Sequence, residues 1–286
     1  MENIKPIAIL MATYNGEAFL SEQIDSILAQ TSHDWHLYIH DDGSMDATTT
    51  IISQYTGQYP DLITALDYPS QGGACKNFLS MLDRIEAPYY MFCDQDDVWL
   101  PEKVKMQYQD MLETERNAPG RPVIVNTDLC VVDSHLQVIS PSFWQYERID
   151  PDWLHHYENH AAVHSVTGCT MLFNQQAKSV VKHPYDQAEM HDVWIGLSVA
   201  AHDGVLTYIH QAPILYRQHA SNTLGAQDAA TQTWKYKLRN VGKLLHINRI
   251  HYLQMNAVSQ ISLLNYIKEK VRYKKYILSK SRHYIF

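Results

Sequence analysis

Cysteine is scarce in this chain. Cys75, Cys93, Cys130 and Cys169 are spread over 286 residues, with no CxxC pair among them. That spacing argues against a zinc ribbon or a disulfide framework, and four reduced thiols are expected. Long apolar runs are lacking as well. Ile7–Ala12 is only six residues long and ends in Thr13-Tyr14-Asn15-Gly16. A spanning helix needs roughly 18. No GxxxxGK[ST] phosphate loop occurs, and no GxGxxG follows the first apolar run, which disfavours an ATPase or a dinucleotide-dependent dehydrogenase. Acids are almost missing from the last stretch: residues 232–286 carry 12 Lys+Arg against one acid, Glu269. The chain holds 23 basic and 31 acidic residues, so 11 against 30 remain elsewhere and the net −8 is a body of −19 with a tail of +11. An acidic body does not suit wholesale nucleic-acid binding. The basic tail suits an anionic surface. A soluble cytoplasmic protein is expected.

What is present is ordinary globular composition, with 45% hydrophobic and 19% charged residues, 11 Gly and 11 Pro. This excludes disordered and fibrous classes. Short apolar runs alternate with helical spacing through the first half. Strands are expected at Ile7–Met11, Leu37–Ile39, Leu62–Leu66, Tyr89–Cys93 and Val123–Val125. Helices are expected at Phe19–Leu28, Thr48–Tyr55, Phe78–Ile85 and Glu102–Glu115, the last with Pro101 in its first turn. The alternation predicts an α/β fold with a mostly parallel sheet. Further on, the pattern predicts strands at Val166–Phe173, Val205–Ile209 and Ile214–Arg217 and a helix at His191–Ala201. From Trp234 the chain reads as amphipathic helix, with one stripe of Trp234, Leu238, Val241 and Leu245 and a second of Leu253, Ala257, Ile261, Leu264 and Val271. A catalytic unit over residues 1–225 and a helical extension over 226–286 follow.

Three motifs fall where strands end: Thr13-Tyr14-Asn15-Gly16 after the first, Asp41-Asp42-Gly43-Ser44 after the second, and Asp94-Gln95-Asp96-Asp97 after the fourth. Open α/β sheets bind ligands beyond those ends. An Asp-Gly pair taken singly is most often a turn. Five carboxylates converging on one rim point instead to a hard cation, Mg²⁺ or Mn²⁺, held with a phosphorylated ligand.

The motif order resembles family 2 glycosyltransferases with the GT-A fold: Ala12-Thr13-Tyr14-Asn15-Gly16-Glu17, Asp41-Asp42-Gly43-Ser44-Met45-Asp46 and Cys93-Asp94-Gln95-Asp96-Asp97-Val98-Trp99. Thr167-Gly168-Cys169-Thr170, Met190-His191-Asp192-Val193-Trp194 and Arg217-Gln218-His219 extend it. The forms look most like bacterial rhamnosyltransferases of cell-wall or surface polysaccharide assembly. The resemblance implies a DxD pair, Asp94 and Asp96, with Asp96 the direct metal contact and His219 a further metal ligand or diphosphate contact. It implies a donor pocket of Thr13, Tyr14, Asn15, Glu17, Asp41 and Asp42, with Lys76, Asn77, Gln95, Asp97 and Gly168 also on the donor side. Asp192 would be the general base of a direct displacement, flanked on the acceptor side by His191 and Trp194. For Lys76 a solvated surface charge, for His219 a satisfied loop histidine, and for Asp192 a helix cap are the alternative readings of the residues.

The implied partners are a nucleotide-diphospho-sugar, dTDP-L-rhamnose or a UDP-hexose, and a lipid-linked glycan. A sugar nucleotidyltransferase and a non-catalytic nucleotide-sugar scaffold are the other classes open to such a sheet. The segment His155–His160 reads as an acceptor-side loop or surface, and Trp144 and Trp153 as acceptor-stacking or core residues. The tail has three uses: docking on an anionic inner membrane leaflet with Tyr252, Tyr266, Tyr273 and Tyr276 at the interface, pairing in a homodimer, or packing on the acidic body.

Overall fold

The computed structural model describes residues 5–155, 166–219, 226, 241–259 and 261–281. Its strands are β1 (Ile7–Thr13), β2 (Trp35–Asp41), β3 (Ile63–Ala65), β4 (Tyr89–Cys93), β5 (Val98–Trp99), β6 (Val123–Thr127), β7 (Cys130–Val132), β8 (Val138–Ser140), β9 (Leu172–Asn174), β10 (Val205–Ile209) and β11 (Ile214–Arg217). Its helices are α1 (Leu20–Leu28), α2 (Thr48–Gln58), α3 (Ala74–Arg84), α4 (Lys103–Asn117), α5 (Phe143–Glu147), α6 (Gln175–Ser179), α7 (His191–Ala201), α8 (Val241–Ser259) and α9 (Leu263–Ser281).

Ile7 through Met11 are all buried. A strand covered on both faces must be apolar on both, so this segment reads as an unbroken run and not an alternation. It lies at the centre of a seven-stranded sheet of order β10-β6-β9-β4-β1-β2-β3. The pairs β4–β1, β1–β2, β2–β3 and β10–β6 are parallel. Helices cover both faces. One core layer sets Ile9, Met11 and Leu37 against Ile24, Ile27 and Val104; the other sets Leu10 and Phe92 against Phe78, Leu82 and Trp194. A smaller sheet, β5-β11-β7-β8, sits beyond the end of β4.

Two expectations change. The Val166–Phe173 strand is only Leu172–Asn174, and Gly168–Thr170 is instead a 3₁₀ turn. That strand runs antiparallel to both β4 and β6, so the mostly parallel sheet is a mixed one.

The tail is the second change. α8 ends at Ser259 and α9 begins at Leu263, so the two helices do not share one phase. The residues facing the body are Met255, Tyr266 and Tyr273, which are buried, while Leu253, Leu264 and Val271 of the expected stripe are exposed. Met255 and Tyr266 pack on Val193 and Leu197 of α7. Tyr276 stacks on Trp153 at 4.0 Å, and its hydroxyl and the Lys280 ammonium both donate to Asp150. Tyr273 Oη accepts the Asp150 N–H at 2.9 Å. Of the tyrosines expected at a membrane interface, Tyr273 and Tyr276 are thus spent on the acidic body, where their hydroxyls find partners. The His155–His160 segment beyond its first residue, the Trp234 and Leu238 positions, and all of the 221–228 boundary but Ala226 lie outside the described residues.

One side chain fixes the reversed strand. Asn174 accepts from Val123 N (3.0 Å) and caps α6 through Ala177 N (2.9 Å), while its amide donates to Glu115 and to Arg121 O. Asn174→Ala leaves a buried N–H without an acceptor and removes the cap. The expected loss is about 2–4 kcal/mol in urea unfolding, with the denaturant slope unchanged.

Candidate active site

The parallel register brings the three motif loops to one rim. Thr13 lies beside Asp41, and Met11 beside Cys93. Each loop then lends hydrogen-bond donors to the next. Thr13 Oγ1 and Ser44 Oγ donate to Asp41 Oδ1 (2.9 and 2.5 Å), while Gly43 N and Ser44 N donate to Oδ2 (3.1 and 2.8 Å). Asp42 accepts from Ser70 Oγ (2.8 Å) and from the successive N–H groups of Gln71, Gly72 and Gly73 (2.5, 3.2 and 2.6 Å). Burial pushes the Asp42 carboxyl up, but those donors outweigh it and hold it below its ordinary value. Both acids expected in the donor pocket are therefore held by loop N–H and hydroxyl groups.

Other expected donor-side residues also have structural partners. Asn15 N donates to Ser44 Oγ (2.8 Å), and Met45 N returns a bond to Asn15 Oδ1 (2.9 Å). Glu17 accepts from Ala47 N at the start of α2 (2.9 Å). Gln95 clasps the Tyr14 peptide with both ends of its amide, accepting from Tyr14 N (2.9 Å) and donating to Tyr14 O (3.0 Å). The Tyr14 ring itself is exposed on the rim. Asn77 is buried and spent on β2, pairing with His40 Nδ1 (2.7 Å) and His40 O (3.2 Å). It positions the loop after β2 instead of reaching the rim. Lys76 is exposed in the first turn of α3.

The third loop concentrates the charge. Burial, then Asp96, then Asp192 push the Asp94 carboxyl up to about 7. Asp97 is fully buried and pushed well up by burial and by Asp96 and Asp94; one oxygen accepts from Arg217 N (3.0 Å) and the other has no partner among the described residues. Asp96 Oδ2 meets His219 Nε2 at 2.8 Å. Arg217, buried, ties the cluster to its surroundings: its guanidinium donates to Asp96 O (2.8 Å), Ser134 O (2.8 Å) and Glu22, and lies over the Phe19 ring.

Asp192 comes from a separate element, α7. It stands inside the first turn of α7, after an N-cap at Met190, and so is not the capping residue itself. Its Oδ2 accepts from Gly168 N (2.9 Å) and its Oδ1 from Val193 N (2.7 Å). Gly168 was expected to pass close to a donor sugar, but the close approach seen is to His191, whose Nε2 would lie 2.5 Å from a Cβ there. His191 is buried against Phe78 and Phe92, neither ring nitrogen has a partner among the described residues, and burial lowers its pKa. Trp194, expected on the acceptor side, is 1% exposed and donates its indole N–H to Lys182 O. It is a core residue, as is Trp144.

The acids fit a divalent cation. Ligand atoms of Asp94, Asp97 and Cys169 lie within 4.8 Å of one another. The Cys169 thiol is pushed well up by burial and Asp97 is fully enclosed, so neither suits a hard ion. Asp94 and Asp96, half-buried at the mouth, with His219 beside Asp96, are the residues that would hold Mg²⁺ or Mn²⁺. The crowding that raises Asp94 is what a cation relieves.

Sequence reading missed the floor beneath this cluster. Lys103 is fully buried, its ammonium 3.7 Å from the Trp99 ring centroid and 2.8 Å from Gln107 Oε1. Burial brings it down to about 7. Gln107 in turn donates to Val125 O and Thr170 O. A signal existed: Lys103, Gln107 and Met111 recur at the helical spacing of a buried stripe.

Gly16 makes room for the Gln95 clasp, since a Cβ there would meet Gln95 Oε1 at 2.3 Å. Gly16→Ala is expected to break the clasp, costing about 1–3 kcal/mol in urea unfolding, and Gln95→Ala in the same chain recovers part of that loss. The Asp94 carboxyl carries a second prediction. Folding raises it from the ordinary carboxylate range to about 7, so the folded chain binds a proton that the unfolded chain has released. Its share of stability is complete below the ordinary range and lost as pH rises through about 7. Between about pH 5 and about pH 8, Asp94→Asn should flatten the fall in thermal midpoint. Mn²⁺ should raise the midpoint of the natural chain at the upper pH and not that of the variant.

Comparison with known proteins gives the fold and the family. A 1–349 fragment of TarS from S. aureus in complex with UDP superposes with a TM-score of 0.60 over 97% of this chain and 73% of that one, at 13% identity. The mannosyltransferase PcManGT from Pyrobaculum calidifontis, in complex with GDP-Man and Mn²⁺, gives 0.56 over 77% and 58%, at 15% identity. These show the GT-A fold. In sequence, the dTDP-rhamnosyl transferase RfbG of Shigella flexneri is 29% identical over 76% of this chain and 74% of its own length. The glucosyltransferase WfgD of Escherichia coli, named for UDP-Glc and a GlcNAc-diphosphoundecaprenol, is 31% identical over 37% of this chain and 41% of its own. The family model "Glycosyl transferase family 2" matches residues 8–162, more than half of the chain and all three motif loops. With that match, and with the rim built as described, the chain belongs to glycosyl transferase family 2.

Proposed function

We propose that this protein is an inverting, divalent-cation-dependent glycosyltransferase that moves L-rhamnose from dTDP-L-rhamnose onto a lipid-linked glycan in bacterial surface polysaccharide synthesis. One observation carries the reading. Asp192 binds the N–H of Gly168, next to Cys169, whose sulfur lies in the same cluster as Asp94 and Asp97. A base and a cation-binding pair therefore share one wall.

The chemistry follows from that wall. An acceptor hydroxyl attacks the anomeric carbon, the carbon–oxygen bond to the diphosphate breaks, and the hydroxyl proton passes to Asp192. Two N–H donors fix the Asp192 carboxylate while its remaining lone pairs stay available to that proton. A cation on Asp94 and Asp96 would offset the charge gathering on the departing diphosphate. Thr13, Tyr14, Asn15 and Glu17, with Asp41 and Asp42, shape the nucleotide wall. Gln95 sets the first loop against the third.

Similarity to RfbG over three quarters of the chain supports the rhamnose donor. WfgD, whose name carries a diphosphoundecaprenol acceptor, supports a lipid-linked one, and its UDP-Glc supports a UDP-hexose as the second donor reading. The test is nucleotide diphosphate release with dTDP-rhamnose, UDP-glucose, UDP-galactose, UDP-N-acetylglucosamine and GDP-mannose, each with Mn²⁺ or Mg²⁺ and with EDTA. Turnover of dTDP-rhamnose alone, lost with EDTA, is the expected result. Turnover of a UDP-hexose in its place selects the second reading. Asp192→Asn should lower kcat by roughly 10²–10⁴ while calorimetric donor affinity holds. Undiminished turnover in that variant removes Asp192 as the base.

A further inference from the structure

The outward face of α9 is exposed. Leu264 is 76% exposed, Ile267 50%, Val271 47% and Leu278 54%. At 100° per residue these four fall within an arc of roughly 60°. Lys274 lies on one edge of that arc, and Lys275 and Lys268 on the other; all three are exposed, without an acidic partner among the described residues. Glu269, the one acid of the whole tail, is turned inward and 8% exposed. The inner face of the helix is committed to the body through Tyr266, Tyr273 and Tyr276. The outer face is therefore purely aliphatic and cationic, on a molecule whose remainder is strongly acidic.

We infer that this face lies flat on an anionic lipid surface, with Leu264, Ile267, Val271 and Leu278 entering the acyl boundary and Lys268, Lys274 and Lys275 meeting the headgroups. Charge selects lipid over a second copy of the chain. A two-fold pairing through this stripe would set the lysine edges of one helix against those of the other, with no acid on the face to answer them. An anionic bilayer answers all of them, and the −19 body disfavours approach by any other side. No helix among the described residues is long and apolar enough to cross a membrane, so the contact is one of lying on the surface. The inference rests on surface chemistry and needs no particular donor sugar, although the lipid-linked acceptor proposed above gives it a use.

The experiment is co-sedimentation of the full chain with vesicles of equal parts phosphatidylglycerol and phosphatidylcholine, against phosphatidylcholine alone, at low and high salt. Binding is expected to the anionic vesicles only and to weaken with salt. The triple variant Lys268→Gln, Lys274→Gln, Lys275→Gln should lose roughly a hundredfold in partitioning, at about fivefold per lysine. Ile267→Asn with Val271→Asn should abolish it at unchanged thermal midpoint. Absence of binding to the anionic vesicles, or binding indifferent to both sets of substitutions, overturns the inference. So does a dimer, measured by light scattering, that Ile267→Asn and Val271→Asn dissociate. Because the assay contains no nucleotide sugar, its outcome is independent of the donor test.

Discussion

Negative charge gathered at the end of a buried sheet is the constraint around which this molecule is arranged. Asp41, Asp42, Asp94, Asp96, Asp97 and Asp192 converge there, and carboxylates in a low-dielectric setting must be answered by donors or by protons. The fold answers each differently. Asp41 and Asp42 receive a full set of loop donors. Asp192 takes two N–H groups near a helix start, and Asp96 takes a histidine and the reach of Arg217 to its carbonyl. Asp94 and Asp97 are left under-answered, and their carboxyls rise. That graded supply separates the acids committed to the rim from Asp94, which keeps its crowding and lies only half-buried at the mouth.

The same accounting explains the buried Lys103. A lysine with no exposed surface is costly unless its charge is used, and here it sits under Trp99 and close enough to Cys93, Cys169 and Asp97 to be felt by them. It supplies positive potential from below, where solvent cannot.

The parallel core was legible because its strands are apolar on both faces and end in polar motifs. Tyr89–Cys93, His191–Ala201, Val205–Ile209 and Ile214–Arg217 form where the pattern put them. The direction of β9 was not legible, since periodicity carries no information on which way a strand runs. The tail was misread for a similar reason. An aliphatic stripe normally marks the buried side of a helix, and Ala257 and Ile261 do pack inward, but on α9 tyrosines with hydroxyl partners occupy that side and Leu264 and Val271 are left outside. At the rim, motif order located the acids without telling which were already saturated. Asn77 and Trp194 have the chemistry of ligand contacts, yet His40 and Lys182 O already engage them. Hydrogen-bond occupancy is a property of the folded loops, and it surfaces only when distant segments meet.

The clasp of Gln95 on the Tyr14 peptide, with Gly16 beneath it, joins positions separated by 81 and 79 residues into a single steric unit. Neither member is free to drift alone. A side chain at position 16 requires a shorter one at position 95, and a shorter residue at 95 releases the first loop from the Asp94–Asp97 turn. Among related chains the two sites should therefore change together or stay fixed together. Efforts to reshape the nucleotide pocket through the first loop would meet this linkage before reaching any residue that touches a ligand.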